Sequence, residues 1–192
     1  MDYHKKSGEA KPMIVVMTNG NPGQAAAFPD SPKVATQGQG AGSMADGVFE
    51  ESLVKDVVPY IESHFRVKAN KENRAITGLS MGGHQTINTT LKNPGMFDYI
   101  GVMSMGFADF SQWGVDIDEK ERDQKIEALK AADPELYWIA CGEDDFLMES
   151  VVNMRKRLDE HNFDYEYFES AGGHTWNNWR VYLSMFAPRL FN

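Results

Sequence analysis

Pro12-Met13-Ile14-Val15-Val16-Met17 is the first apolar run along the chain, bounded by Lys11 and by Asn19-Gly20. A run rich in β-formers, without polar alternation, predicts a parallel strand buried on both faces. Residues 19–47 follow, crowded with Gly, Pro, Ala, Ser and Gln and without any period. They predict a long loop, of the length that commonly borders a pocket. Phe49, Leu53, Val54, Val57, Val58 and Ile61 then recur at helical spacing. A helix is expected over residues 48–64, with Pro59 bending it or shifting its last turn.

Further on, residues 74–79 predict a short strand, 81–92 a helix stopped by Asn93-Pro94-Gly95, and 97–103 a third strand. Residues 116–132 predict a charged helix carrying Asp116/Lys120, Asp118/Arg122 and Glu121/Lys125 at i,i+4, a solvated face rather than a binding site. Residues 136–141 predict a fourth strand, 150–160 a helix, 165–168 a fifth strand and 176–186 a closing helix. Strand and helix alternate throughout. That pattern predicts one α/β domain over residues 1–192, with a mostly parallel sheet of about five strands and helices on both faces.

Composition narrows the function. With 19 Lys plus Arg against 28 Asp plus Glu, the net charge of the 192 residues is −9. Nucleic acid and anionic membranes, which call for a basic patch, are not the expected partners. At 42% hydrophobic and 24% charged, the chain is an ordinary globular one. Its single cysteine, Cys141, excludes an internal disulfide framework and a Cys-rich metal site. No apolar run approaches the ~18 residues that span a bilayer. Met1-Asp2-Tyr3-His4-Lys5-Lys6 lacks the apolar core of a signal peptide, so none is expected in this chain.

Gly78-Leu79-Ser80-Met81-Gly82, followed by Gly83, matches G-x-S-x-G. The pattern alone is weak. Its place between an expected strand and an expected helix makes it a nucleophile elbow, a tight turn that exposes a serine at the carboxyl end of a sheet. The glycines are expected to leave room for the strained turn and the close helix, and the Met81 amide to face the oxygen of a reacting carbonyl. A serine hydroxyl needs a base and the base an orienting acid, in the chain order Ser, acid, His. Of five histidines, His4 lies near the terminus, His64 and His161 fall at expected helix ends, and His84 suits packing one turn into the elbow helix. His174 lies in the Gly-bearing loop between the last strand and the last helix, where such a base belongs. For the acid, Gly142-Glu143-Asp144-Asp145 follows a strand, and spacing does not separate Asp144 from Asp145.

Three segments then carry a resemblance: Arg74-Ala-Ile-Thr-Gly-Leu-Ser-Met-Gly-Gly-His, Ile139-Ala-Cys-Gly-Glu-Asp-Asp and Gly172-Gly-His-Thr-Trp-Asn-Asn-Trp. Together they resemble the esterase family that holds feruloyl and acetylxylan esterases (carbohydrate esterase family 1), esterase D and enterochelin esterases. The chain is most similar to the feruloyl esterase domains attached to bacterial xylanases, and the similarity spans nearly its whole length. The resemblance implies an α/β-hydrolase fold and a serine esterase with catalytic Ser80, His174 and Asp145, the last matching the family's Gly-x-Asn-Asp segment. It implies an acyl-enzyme on Ser80, an oxyanion donor at Met81, and no metal or organic cofactor. The implied substrate is a feruloyl or acetyl ester of plant polysaccharide, and the implied setting is secreted or periplasmic. Phe107, Phe110, Trp113 and Trp176 are candidates for an aromatic wall around a phenolic acyl group. Family members carry a further N-terminal stretch of three strands ending in a His-Gly-x-Gly-Gly type segment that gives the second oxyanion amide. This chain has no such segment, and losing one such donor costs ~10²–10³ in turnover. The alternatives are an enterochelin-type siderophore esterase, or an impaired hydrolase that binds or oligomerises. In the family's order a strand separates those matching 12–18 and 74–79, so here the two are expected either to pair directly or to be completed by a second copy in a homo-oligomer.

Overall fold

The structure, a computed structural model, describes residues 10–20, 47–109, 111 and 118–192. The expected loop at 19–47, its ends apart, lies outside the described residues, as do His4, Phe110 and Trp113.

Four strands, β1 (Ala75–Leu79), β2 (Tyr99–Met103), β3 (Leu136–Gly142) and β4 (Glu166–Ser170), form one parallel sheet in that order. Every residue of β2 and β3 is buried. Their unbroken apolar sequences fit this, because a strand between two helical layers has no face for polar residues. One layer is built by α3 (Met81–Lys92), α4 (Glu119–Ala131) and α5 (Met148–Glu160). They set Ile87, Leu91, Ile126, Leu129, Val151, Met154 and Leu158 against Ile100, Val102 and Ile139. The other face is covered by α6 (Trp176–Phe186), whose Tyr182 and Phe186 pack on Tyr99, Met103, Trp138 and Ala140. Trp138 stacks on Phe186 at 5.8 Å between ring centroids. Each such fully buried side chain contributes about 1.5–3 kcal/mol, so both layers hold the strand ends from which the site is built.

The strand expected at 12–17 is not formed, and among the described residues the sheet has four strands rather than about five. Ile14, Val15, Val16 and Met17 are all exposed, Met17 at 91%, and of this run only Met13 packs against the α6-side core. Direct pairing of 12–18 with 74–79 is likewise not formed: β1 pairs with β2 alone among the described residues. The physical reason is that composition offers a run to a sheet, but a strand exists only where a neighbour takes up its backbone hydrogen bonds.

Residues 48–64 are helical as the spacing expects, in three pieces: α1 (Val48–Ser52), a π-helical stretch Leu53–Val57, and α2 (Val58–His64). Pro59 lies in the first turn of α2. It has no N–H to give, and the wider π turn before it absorbs that missing donor. At the start of α4, Asp118 accepts from the amides of Lys120 and Glu121 at 2.9 and 3.2 Å. That cap uses Asp118, so Arg122 pairs with Glu119 at 2.8 Å instead, while the Glu121–Lys125 pair forms at 2.6 Å.

Candidate active site

Three strand ends converge at the carboxyl edge of the sheet. β1 passes directly into α3 through Ser80, whose φ of 54° and ψ of −123° lie where L-residues are strained. The turn is held because Ser80 N–H donates to the Met103 carbonyl at 2.9 Å and the Ser80 carbonyl accepts from His84 N–H at 3.1 Å. Gly78 is sterically required: a Cβ there would stand 2.1 Å from the Gly82 carbonyl oxygen. Gly83 is required as well, with Met105 Cβ at 2.7 Å. Gly82 differs from the sequence expectation, since a Cβ at that position meets nothing within 4 Å. Met81 is the first residue of α3, at the helix end where amides lack intrahelical acceptors.

Asp145 follows β3, and His174 lies between β4 and α6. Glu143 N–H donates to the Ser170 carbonyl at 2.8 Å and Asp144 N–H to the Gly172 carbonyl at 3.0 Å, which ties the two loops together. Gly172, at φ 80°, makes the bend, and the Asn178 amide closes it by donating to the carbonyls of Ala171 and Gly173 at 3.1 and 3.0 Å. The result is a continuous chain of contacts. His174 Nδ1 lies 3.0 Å from both carboxylate oxygens of Asp145, and His174 Nε2 lies 2.9 Å from Ser80 Oγ. The Asp145 side chain is wholly buried, and its Oδ1 also accepts from Leu147 N–H at 2.9 Å. An ionised carboxylate only accepts, so it holds the imidazole proton on Nδ1 and leaves Nε2 to accept from the serine hydroxyl. Asp144, which the sequence did not separate from Asp145, is exposed.

Two aromatic rings meet the imidazole, and a third packs on one of them. Phe146, next to Asp145, sits 4.5 Å from His174 between centroids. Trp179 meets the imidazole edge-on at 4.9 Å, and its Nε1–H donates to Ser104 Oγ at 2.9 Å. Trp176 touches Trp179 edge-on at 5.1 Å and is 64% exposed. Phe146, Trp179 and Ser104 were not singled out in the sequence. Trp179 had a weak signal, standing three residues from Trp176 on one helix face. Phe107 packs against the α3–α5 core with the Arg122 guanidinium 4.5 Å over its ring.

The other described histidines lie elsewhere. His84 is buried on α3, with Nε2 at 2.8 Å from the Asn88 amide. Burial, helped by Lys92 and Arg122, lowers its pKa to about 4. His64 is exposed and stacked on Tyr60. His161 sits at the end of α5 between Glu127 and Asp123. Among the described residues, no group of three or more His, Cys, Asp or Glu could hold a metal ion, and no helix is long and apolar enough to cross a membrane.

Comparison with known proteins adds the following. A family model described as "Putative esterase" matches residues 2–190. The chain is 31% identical over 192 residues to an endo-1,4-beta-xylanase/feruloyl esterase of Xylanibacter ruminicola, an alignment covering 100% of this chain and 23% of that protein. It is 25% identical over 165 residues to an acetyl esterase of Caldicellulosiruptor saccharolyticus, covering 71% of this chain and 61% of that protein. The chain thus spans about a quarter of the first relative and about three fifths of the second. Among solved structures, it matches a ferulic acid esterase from Anaeromyces mucronatus with a TM-score of 0.74 at 23% identity, over 98% of this chain and 68% of that one. It also matches the feruloyl esterase module from Clostridium thermocellum complexed with sinapinate, with a TM-score of 0.73 at 18% identity, over 100% and 68%. The shared architecture is that of the α/β-hydrolases.

Proposed function

The chain belongs to the esterase family, and from that premise we propose that it hydrolyses carboxylic esters through an acyl-serine intermediate on Ser80. The observation that carries this reading is the run of hydrogen bonds from Ser80 through His174 to the buried Asp145. In the proposed cycle Ser80 Oγ attacks the ester carbonyl while His174 Nε2 takes the hydroxyl proton. Asp145 stabilises the resulting imidazolium, and the Met81 amide donates to the oxyanion. The imidazolium then protonates the departing alkoxide. A water molecule, deprotonated by the same Nε2, releases the acid and restores the serine.

The proposed substrate is a feruloyl or acetyl ester of plant polysaccharide, which the names of the xylanase/feruloyl esterase and acetyl esterase relatives support. Phe107 packs against the α3–α5 core with the Arg122 guanidinium over one face of its ring, and Trp113 lies outside the described residues. Release of p-nitrophenol from p-nitrophenyl acetate, and of ferulate from methyl ferulate, tests the reading. Activity should fall to background in Ser80→Ala. Equal rates in the parent and Ser80→Ala chains would overturn it.

A further inference from the structure

The outer torsion of a histidine side chain is broad, so a bond at one nitrogen does not fix the plane of its ring. Asp145 holds His174 at Nδ1 alone, at 3.0 Å to each oxygen. The aim of Nε2 at Ser80 Oγ therefore depends on what packs against the imidazole. Two rings do, and they differ. Phe146 is 74% exposed beside His174. Trp179 meets the imidazole at 90° and 4.9 Å, and packs with the core on the α6 side of the sheet. It is also tied down, because its Nε1–H donates to Ser104 Oγ at 2.9 Å. An indole held by packing and by its own N–H is a fixed wall.

The backbone at Ser104 points the same way. Ser104 follows β2, is fully buried and takes a positive φ of 51°. Asp133 and Asn162 share that backbone, but just past the ends of α4 and α5, where it is common. Ser104 follows a strand instead. Its N–H donates to the Ala140 carbonyl at 2.8 Å, and the Met103 carbonyl before it accepts from Ser80 N–H at 2.9 Å. The strained turn is thus bonded both to the nucleophile and to β3. Glycine takes a positive φ without strain, so what serine adds there is its hydroxyl.

The wall matters most at one point of the cycle. In the resting site the Ser80 hydroxyl donates to His174 Nε2 at 2.9 Å and helps to aim it. Once Oγ is acylated it carries no hydrogen, and that bond is gone. Nε2 must then take a proton from water while Asp145 and Trp179 alone steer the ring. We propose that Ser104 and Trp179 are positioning residues that hold the plane of the His174 ring for deacylation, the step in which Ser80 no longer holds it. The role assigned to the two residues rests on the hydrolase reading above.

Rapid-quench mass spectrometry with p-nitrophenyl acetate gives the rate constants for forming and for clearing acetyl-Ser80. In Ser104→Ala and in Trp179→Phe, clearance should fall about tenfold and formation by less than about threefold. Ser104→Gly, which relieves the backbone, should lose clearance as Ser104→Ala does. The double variant Ser104→Ala/Trp179→Phe should be no slower than the slower single one, because the hydroxyl acts through the indole. Three outcomes would overturn the proposal: clearance within about twofold of the parent in any single variant, equal falls in both steps, or additive losses in the double variant. If the parent forms no acetyl-enzyme, the hydrolase reading fails on its own, and proton NMR of His174 Nδ1–H decides whether the ring is held. Faster solvent exchange of that proton in Ser104→Ala than in the parent supports the positioning role. Equal exchange in the two chains overturns it.

Discussion

His174 and His161 both stand within hydrogen-bond reach of carboxylates, yet only one is arranged to move a proton. His174 meets a carboxylate at Nδ1 and a hydroxyl at Nε2. His161 meets carboxylates at both nitrogens, Glu127 at 2.6 Å and Asp123 at 3.0 Å. With acceptors on both sides, the imidazole is stabilised as a cation and has no free lone pair to act as a base. It joins Arg157, which donates to both oxygens of Asp123 at 2.6 and 2.9 Å, in clasping α5 to α4. What separates a base from a clasp is the partner on the second nitrogen.

The largest effects should come from breaking the His174 arrangement. His174→Ala and Ser80→Ala should each lower kcat by about 10⁴-fold or more, since such groups act as a unit. His161→Gln should leave esterase rates within about twofold, as measured on p-nitrophenyl acetate. Comparable losses at the two histidines would remove the distinction. Asp145→Asn should cost about 10²–10⁴-fold in kcat, because the amide no longer holds the proton on Nδ1. Asp144→Asn, on the exposed neighbour, should change kcat by a few-fold at most, and the reverse ranking would reassign the acid.

His84 sharpens the contrast from the other side, being buried with Nε2 at 2.8 Å from the Asn88 amide. Its pKa falls from 6.5 to about 4 on folding, so the unfolded chain binds the extra proton. The stability it leaves intact above pH 6.5 should be lost as pH falls toward 4, by about 2–3 kcal/mol. Urea titrations of the parent and His84→Gln at pH 7 and pH 4.5 read this as a smaller pH dependence in the variant.

The smallest effect belongs to His161. Glu127, and after it Asp123, raises its pKa above the ordinary 6.5. Its contribution is therefore complete below pH 6.5 and fades as pH rises through the folded value. His161→Gln should lower the melting temperature by about 1–3 °C at pH 6 and by less at pH 8.5. A larger loss at pH 8.5 would show that the clasp does not depend on the charged ring.

How much of this was legible in the sequence depended on where the determining interactions lie. β2 and β3 could be read because strands covered on both faces must be apolar at every position. The placement of Ser80 and His174 could be read because each sits in a strand-to-helix turn whose glycines mark it, although Gly82, unlike Gly78 and Gly83, proves not to be sterically required. Asp145 and Asp144 could not be ranked by spacing, and what separates them is burial, a tertiary property. The run at 12–17 misled, since its composition suits a strand while pairing depends on a neighbour that no local pattern reveals. Phe146 was passed over for a related reason. An aromatic residue in a sequence reads as core, and only three-dimensional placement shows it standing in solvent against an imidazole.

Cys141, the chain's single cysteine, is fully buried at the end of β3. Burial first, and then the Asp145 charge, pushes its thiol up to about 12. Alkylating reagents attack thiolates, so at neutral pH the folded protein presents almost no reactive sulfur. Any cysteine placed by design on the surface is then the sole labelling position, with no need to remove the native one. A spin label or dye at exposed Asp144 or Asn177 would report on the reacting edge of the sheet free of background. The same masked thiol becomes an internal alarm: its labelling rate measures how often β3, one of the two inner strands, opens to solvent.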